Sequence, residues 1–162
     1  MNWWFNIGIV AAVFVAMEFV AWAMHRYVMH GFLWVLHRDH HKRDHHHVLE
    51  RNDAFFLVFA VPSMCFFLAG ALKGPAAPWT WIGLGILLYG IAYFLVHEIF
   101  IHQRIKWFRN SRSVYFLALR RAHKVHHKHL GKEDGECFGM LVVPWHYFRE
   151  AWRIKYGLKA NA

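Results

Sequence analysis

The sequence predicts an all-α, multi-pass membrane protein, with about three transmembrane helices (four at most) and a cytoplasmic cap of histidine-rich helices. Three observations carry that prediction. Of the 162 residues, 57% are hydrophobic and 19% aromatic. The apolar residues are gathered into long runs separated by basic stretches. And 18 of the 19 Lys and Arg side chains fall on one side if the N-terminus lies outside. The composition also closes several alternatives. Disordered chains are poor in aromatic and branched apolar residues. Two cysteines, Cys65 and Cys137, are too few for a disulfide scaffold. A net charge of +9 invites a nucleic-acid reading. Such binding needs the basic residues on a soluble face, and here apolar runs divide them.

Each run is the length of a membrane span. Residues 3–24 hold one charge, Glu18, and residues 54–72 and 79–96 hold none. The runs are 18 to 22 residues long, near the roughly 20 that a helix needs to cross the hydrocarbon core. Spans are therefore expected at about 3–24, 54–72 and 79–97, within one membrane-embedded domain covering 1–162. Basic residues set the orientation. Arg26, Arg38, Lys42, Arg43 and Arg51 follow the first run, and thirteen more lie between Arg104 and Lys159. Lys73 stands alone between the second and third runs. This charge bias places the bulk of the protein, and its C-terminus, in the cytoplasm. Ala21-Trp22-Ala23 matches a small-x-small cleavage site, but a signal peptide carries its positive charge before the apolar core, not after it. The first run reads as a retained span in a bacterial cell (inner) membrane.

The polar stretches 33–51 and 112–129 are helix-compatible, and 131–139 reads as a loop. Residues 137–148 are apolar but number only 12 and include Pro144, which favours an interfacial or packed segment over a fourth span. Trp145, Tyr147, Phe148 and Trp152 stand among Arg149 and Arg153. They suit either a membrane-surface anchor or packing under the cap.

Histidine is the compositional outlier, at 15 residues. Ten of the histidines follow a repeated grammar. His25-x4-His30 is followed by His37-x2-His40-His41, and His97-x4-His102 by His123-x2-His126-His127. Each copy begins at the end of an apolar run, so the charge rule puts both at one depth on one side. Residues three or four apart share a helix face, so His37 can act with His40 or His41. His40 and His41 differ by about 100° around the axis, and a helix pointing between two metals could give one ligand to each. Residues five apart diverge by roughly 140° on an ideal helix. His25 and His30 therefore serve one metal only if the helix carries a π-bulge; otherwise they too are split. Ten imidazoles over two ions is about five each, with a position left for a small molecule.

A single histidine is usually a surface residue or a satisfied core residue. That reading is kept for His45, His46 and His47, a solvated tract, and for His129 and His146. For the ten patterned residues, burying so many imidazoles beside lipid without a metal would leave polar groups unpaired. Imidazole suits Zn, Cu, Fe and Ni alike. Ten ligands exceed the four of a structural zinc site, and no zinc-protease motif is present. A bis-histidine haem would leave the H-x2-H-H groups without purpose. A transporter places polar residues at mid-membrane, where only Glu18 stands. Two redox-active irons under an apolar opening favour O2 activation on a lipid-soluble substrate. A membrane metal carrier without enzymatic activity remains the rival class, and within the enzyme class a sterol or fatty-acyl hydroxylase remains open.

The ordered boxes resemble those of the bacterial β-carotene hydroxylases, within the fatty acid hydroxylase and sterol desaturase superfamily. More specific are Glu50-Arg51-Asn52-Asp53, His97-Glu98-Ile99-Phe100-Ile101-His102-Gln103-Arg104 and Arg121-Ala122-His123-Lys124-Val125-His126-His127. The likeness runs from about Glu18 to about Phe148. One departure is Glu98, where members commonly carry Asp; a carboxylate is retained. The resemblance implies a non-haem di-iron monooxygenase. It would convert β-carotene through β-cryptoxanthin to zeaxanthin by oxygen insertion at ring carbon 3. O2 would be the co-substrate, and zinc could substitute for iron in a purified protein. With no flavin or nicotinamide fingerprint in the sequence, a partner such as ferredoxin with its reductase would supply two electrons. The partners implied are thus a lipophilic carotenoid, an electron donor and membrane lipid, and no nucleic acid. The basic face would suit an acidic carrier, although the charge rule alone accounts for it.

Carboxylates behind ligating imidazoles orient them. Glu18, seven residues before His25, is a candidate because a lone intramembrane acid is costly. Asp39, inside an H-x2-H-H group, and Glu98, beside His97, are the others. The plainer alternatives are a contact between spans for Glu18 and a solvated charge for Asp39. The charge asymmetry predicts that a tag inserted between Lys73 and Pro78 is labelled only from outside the cytoplasm, and one after Ala162 only from inside. Labelling of both from the same side would break the three-span topology.

Overall fold

The computed structural model describes residues 2–42, 49–74 and 77–158. Six α-helices, α1 (Trp3–Ala23), α2 (Trp34–His41), α3 (Leu57–Lys73), α4 (Trp79–Phe94), α5 (Val114–His126) and α6 (Trp145–Tyr156), carry the chain. No strand occurs among the described residues. Helix α1 starts where Trp4 N–H donates to the Asn2 side chain, and α4 starts behind Pro78, whose missing donor costs nothing there. Among the described residues, three continuous helical runs are long and apolar enough to cross a membrane: Trp3–Phe32, Arg51–Lys73 and Trp79–Ile101, with mean hydropathies of 2.2, 2.3 and 1.9. The protein is an integral membrane protein with its histidine-rich side in the cytoplasm.

Both outer helices present apolar side chains outward, as lipid requires; Val15 and Phe19 on α1 and Leu68 and Leu72 on α3 are exposed. Helix α4 lies between them. Some 44% of its apolar stretch is buried, against 11% in each of the other two. Small residues allow that close fit, since lipid tails offer no hydrophobic drive between helices and packing must supply the contact. A Cβ placed on Gly85 would lie 2.7 Å from Val13 of α1. On the other side, Ser63 of α3 donates to the Gly83 carbonyl at 2.9 Å. Met17, Ala21, Ile86 and Tyr89 form the core between α1 and α4.

A second core lies under the cytoplasmic surface. Ala118, Leu119 and Ala122 of α5 pack on Tyr147 and Ala151 of α6, with Val143 beside them. The segment before α6 is not a fourth span. Residues 137–144 are irregular, and their polar backbone is satisfied from within the protein, as irregular backbone near lipid must be. Glu18 accepts from the N–H groups of Met140, Leu141 and Val142 at 2.9 to 3.1 Å. The aromatics of this region divide between the two expected roles: Tyr147 is buried, whereas Trp145 and Trp152 are exposed.

Helix packing of this kind is sensitive to one side chain. Gly85→Val is expected to push α1 from α4 and cost about 1–3 kcal/mol, read as a lower unfolding temperature in detergent. Gly8→Ala, where a Cβ meets open space and Ala is the better helix former, serves as the control that should not lower it.

Candidate metal centre

The two H-x4-H pairs sit where α-helix gives way to π-helix. Helix α1 runs into a π-helical segment, Met24–Phe32, and α4 into another, Leu95–Ile101. A π-turn bonds residue i to i+5, which turns residues five apart toward one side. The His102 N–H donates to the His97 carbonyl at 2.9 Å in this pattern. His25 and His30, divergent on an ideal α-helix, accordingly face the same point.

Nine of the ten patterned histidines form two groups, each able to hold a metal ion. His25, His30, His37, His41 and His126 make the first, and His40, His97, His102 and His123 the second; within a group the candidate donor atoms all lie within 4.8 Å of one another. The tenth, His127, lies against both, its ring centroid 4.5 Å from those of His41 and His123. The groups interlock. His126, from the second sequence copy, completes the first group, and His40, from the first copy, completes the second. Adjacent positions on α2 thus serve different points, as their 100° separation allows.

Ring orientation decides the chemistry. In the first group every Nδ1 faces an oxygen. His25 meets Phe138 O at 3.1 Å, His30 meets Lys132 O at 3.1 Å, and His41 meets His129 O at 2.9 Å. His126 meets Glu136 O at 2.7 Å, and His37 meets Asn52 Oδ1 at 2.6 Å. In the second, Nδ1 of His40 meets Glu50 at 2.9 Å and Nδ1 of His97 meets Glu98 at 2.6 Å. These oxygens fix the proton on Nδ1 and leave the lone pair on Nε2. Yet Nε2 atoms stand 3.2 Å apart in the pairs His25–His37, His30–His126, His37–His41 and His40–His97. Lone pairs facing at that distance repel, and a shared cation removes the conflict. Two imidazole nitrogens each about 2.0–2.1 Å from one metal are roughly 3.0–3.4 Å apart, so the spacing fits. The buried Nε2 of His127 has no hydrogen-bond partner, which suits the same chemistry.

Outside the spans, burial holds His37, His40 and His123 well below the usual imidazole range, and repulsion from neighbouring imidazoles acts in the same direction. The same causes push His41 down to about 4, His126 to about 3, and His102 and His127 to about 2. These rings are neutral at pH 7, the form that binds metal.

A cleft of about 770 Å³ ends on residues that hold this centre. Ala21, Met24 and Met29 form one wall, Phe55, Phe59 and Ala60 another, and Leu87, Gly90 and Tyr93 of α4 a third. Asn52 and Glu98, which hold His37 and His97, close its inner end together with Asp53 and Arg104. Exposed Phe56, Ile91 and Phe94 rim its mouth on the lipid-facing surface.

Residues 10–150 match the family described as fatty acid hydroxylase. The chain belongs to that family. Within it, the chain is 40% identical to a β-carotene hydroxylase of Paracoccus sp. (strain PC1), over 84% of this chain and 83% of that one. It is 35% identical to the β-carotene hydroxylase of Pantoea ananas, over 100% and 91% respectively. It is 33% identical to the chloroplastic β-carotene 3-hydroxylase 2 of Arabidopsis thaliana, over 86% of this chain but 45% of the longer plant protein. No solved structure matches significantly.

For a fatty acid hydroxylase family member, the groups behind the histidines matter as much as the histidines. Glu98 is bonded to His97 at 2.6 Å. Asp39 accepts from the Arg51 N–H at 2.7 Å, bracing the start of the 3₁₀ helix Arg51–Phe56. Glu18 departs from the expectation that it backs a histidine. Its acceptors are filled by three backbone N–H groups and by the Tyr89 hydroxyl at 2.6 Å. Sequence reasoning missed the roles of Glu50, Asn52 and Arg104. Arg104 meets Glu50 at 3.0 Å, Asp53 at 2.8 Å and Glu98 at 2.7 Å, tying together both carboxylates of the second group. Gln103 makes this possible, since its left-handed backbone (φ 55°) turns the chain so that Arg104 N–H reaches Glu98 O. His129 contributes its carbonyl to His41 and the His146 ring packs tilted against Tyr147, neither joining a group. The tract His45, His46 and His47 lies outside the described residues.

Arg104 is the test of that polar floor. Arg104→Ala leaves three carboxylates without their cation in a mostly buried site, where losing one partner costs about 3–5 kcal/mol. The half-exposed pair Arg121–Glu150 is worth about 0–1 kcal/mol. Thermal unfolding in detergent should therefore separate Arg104→Ala from Arg121→Ala clearly; equal shifts would remove Arg104 from this role.

Proposed function

We propose that this chain is an O2-dependent di-iron monooxygenase that hydroxylates carbon 3 of the β-ionone rings of carotenoids, taking β-carotene through β-cryptoxanthin to zeaxanthin. The observation that carries the proposal is the apolar cleft, open to lipid, whose closed end is formed by residues bonded to one histidine of each group. The named β-carotene hydroxylases among the relatives supply the substrate class. His25, His30, His37, His41 and His126 would hold one iron and His40, His97, His102 and His123 the other, with His127 beside both. Irons so bound supply the activation of O2. Zinc would fill the same sites but lacks the redox change.

The chain's own residues do the rest. Phe55, Phe59, Leu87 and Ile91 offer the ring an apolar wall and keep water from the reaction. Asn52, Glu50 and Glu98 keep Nδ1 protonated and Nε2 free, and Arg104 holds the two carboxylates in place. One oxygen atom of O2 enters the C–H bond to give the alcohol and the other leaves as water, which takes two electrons and two protons. The electrons would come from a carrier of the ferredoxin type with its reductase. The 1–162 chain would act as a single membrane-embedded domain.

Expression in a host that accumulates β-carotene is expected to yield β-cryptoxanthin and zeaxanthin, read by pigment chromatography against authentic standards. Unchanged β-carotene with inserted, metal-loaded protein would overturn the substrate. Ala60→Trp, which fills the cleft, is expected to lower product at least tenfold while metal content stays that of wild type. His25→Ala or His126→Ala should lose both product and metal.

A further inference from the structure

We propose that Glu18 is a positioning residue for the first histidine group, acting from inside the membrane through the backbone of residues 136–142. The proposal rests on the reading of the two groups as metal sites. Glu18 lies in α1, and its carboxylate binds three consecutive backbone N–H groups, those of Met140, Leu141 and Val142, besides the Tyr89 hydroxyl. Charge-assisted bonds of this kind are the stronger ones, and an ionisable side chain at this depth is costly unless it is used. The segment it grips is the one that aims two imidazoles. Two residues before Met140, the Phe138 carbonyl accepts from His25 at 3.1 Å, and the Glu136 carbonyl accepts from His126 at 2.7 Å. The Phe138 ring lies 5.1 to 5.4 Å from the rings of His25, His30 and His126.

The link is tight enough to transmit a displacement. Gly139 joins the gripped and aiming parts, and a Cβ there would collide with the Val142 carbonyl and lie 3.3 Å from Glu18. The backbone at Cys137 is left-handed (φ 56°), which fixes the direction in which the neighbouring carbonyls point. The second group is braced differently. Its backing carboxylates come from Glu50 and Glu98, locked by Arg104, and neither belongs to residues 136–142. A change at Glu18 therefore reaches one group and spares the other. A residue that merely supported the fold would loosen both together.

The full-length chain in detergent, loaded anaerobically with Co(II), distinguishes these cases by metal count and absorption spectrum during titration with a chelator. Wild type is expected to hold two ions. Glu18→Gln, which leaves one amide oxygen for three N–H donors, is expected to release one ion at least about tenfold more readily, the scale on which groups behind metal ligands act, and to keep the other unchanged. Glu98→Gln is expected to weaken the opposite ion, identified by the complementary change in the spectrum. If Glu18→Gln does not insert stably, Gly139→Ala makes the same test from the other end of the link. A wild-type chain that binds no metal overturns the metal reading and this inference with it. A wild type that holds two ions, with Glu18→Gln or Gly139→Ala releasing both equally or neither, overturns the inference alone.

Discussion

The structure depends on one electrostatic constraint: a buried imidazole has two nitrogens, and both must be satisfied. In seven of the ten patterned histidines Nδ1 is given an oxygen to which it donates, which turns the lone pairs of Nε2 toward one another. Desolvation keeps protons from answering that crowding, since the rings outside the spans resist protonation. What remains is a pair of points where several lone pairs meet, and the elements around them are arranged to keep them there. The π-helical ends of the first and third runs, the short α2 and the last turn of α5 all meet at these points.

Much of this was legible in the sequence because two periodicities could be compared. Charge-free runs of span length gave the helices, and the H-x4-H spacing, awkward for 3.6 residues per turn, indicated a π-bulge as the way to bring such residues together. The angle between neighbours allowed His40 and His41 to be split between two points. The backing groups were less visible, for two physical reasons. Four of the five oxygens behind the first group are main-chain carbonyls, of Phe138, Lys132, Glu136 and His129, and a carbonyl leaves no mark in residue identity. The others are distant in sequence: Asn52 and Glu50 lie 15 and 10 positions from the histidines they hold, and Arg104 lies 54 positions from Glu50, beyond the reach of any helical pattern. Glu18 was noticed for the right reason, its cost in the membrane, but its partners are amides brought back by the tertiary fold.

The two groups are alike in sequence and unlike in surroundings. Neutral amide and carbonyl oxygens stand behind the first, whereas carboxylates stand behind the second. A carboxylate withdraws the Nδ1 proton more strongly and makes the imidazole a better donor. The sequence repeat therefore does not produce equivalent sites, and each site borrows one histidine from the other copy, so neither half of the chain contains a complete set.

The position of the cleft has a consequence for how such a protein meets its substrate. Its mouth, rimmed by Phe56, Ile91 and Phe94, lies on the lipid-facing surface, so a molecule dissolved in the bilayer enters sideways without crossing water. The concentration that governs occupancy is then the mole fraction of substrate in lipid, not its amount per volume of buffer. Adding inert phospholipid at constant total substrate dilutes the enzyme's supply, just as adding solvent would for a soluble catalyst. A product that has gained a hydroxyl still leaves through the same side door, but its new polar end favours the headgroup layer. The membrane itself thereby favours departure of the product from the cleft.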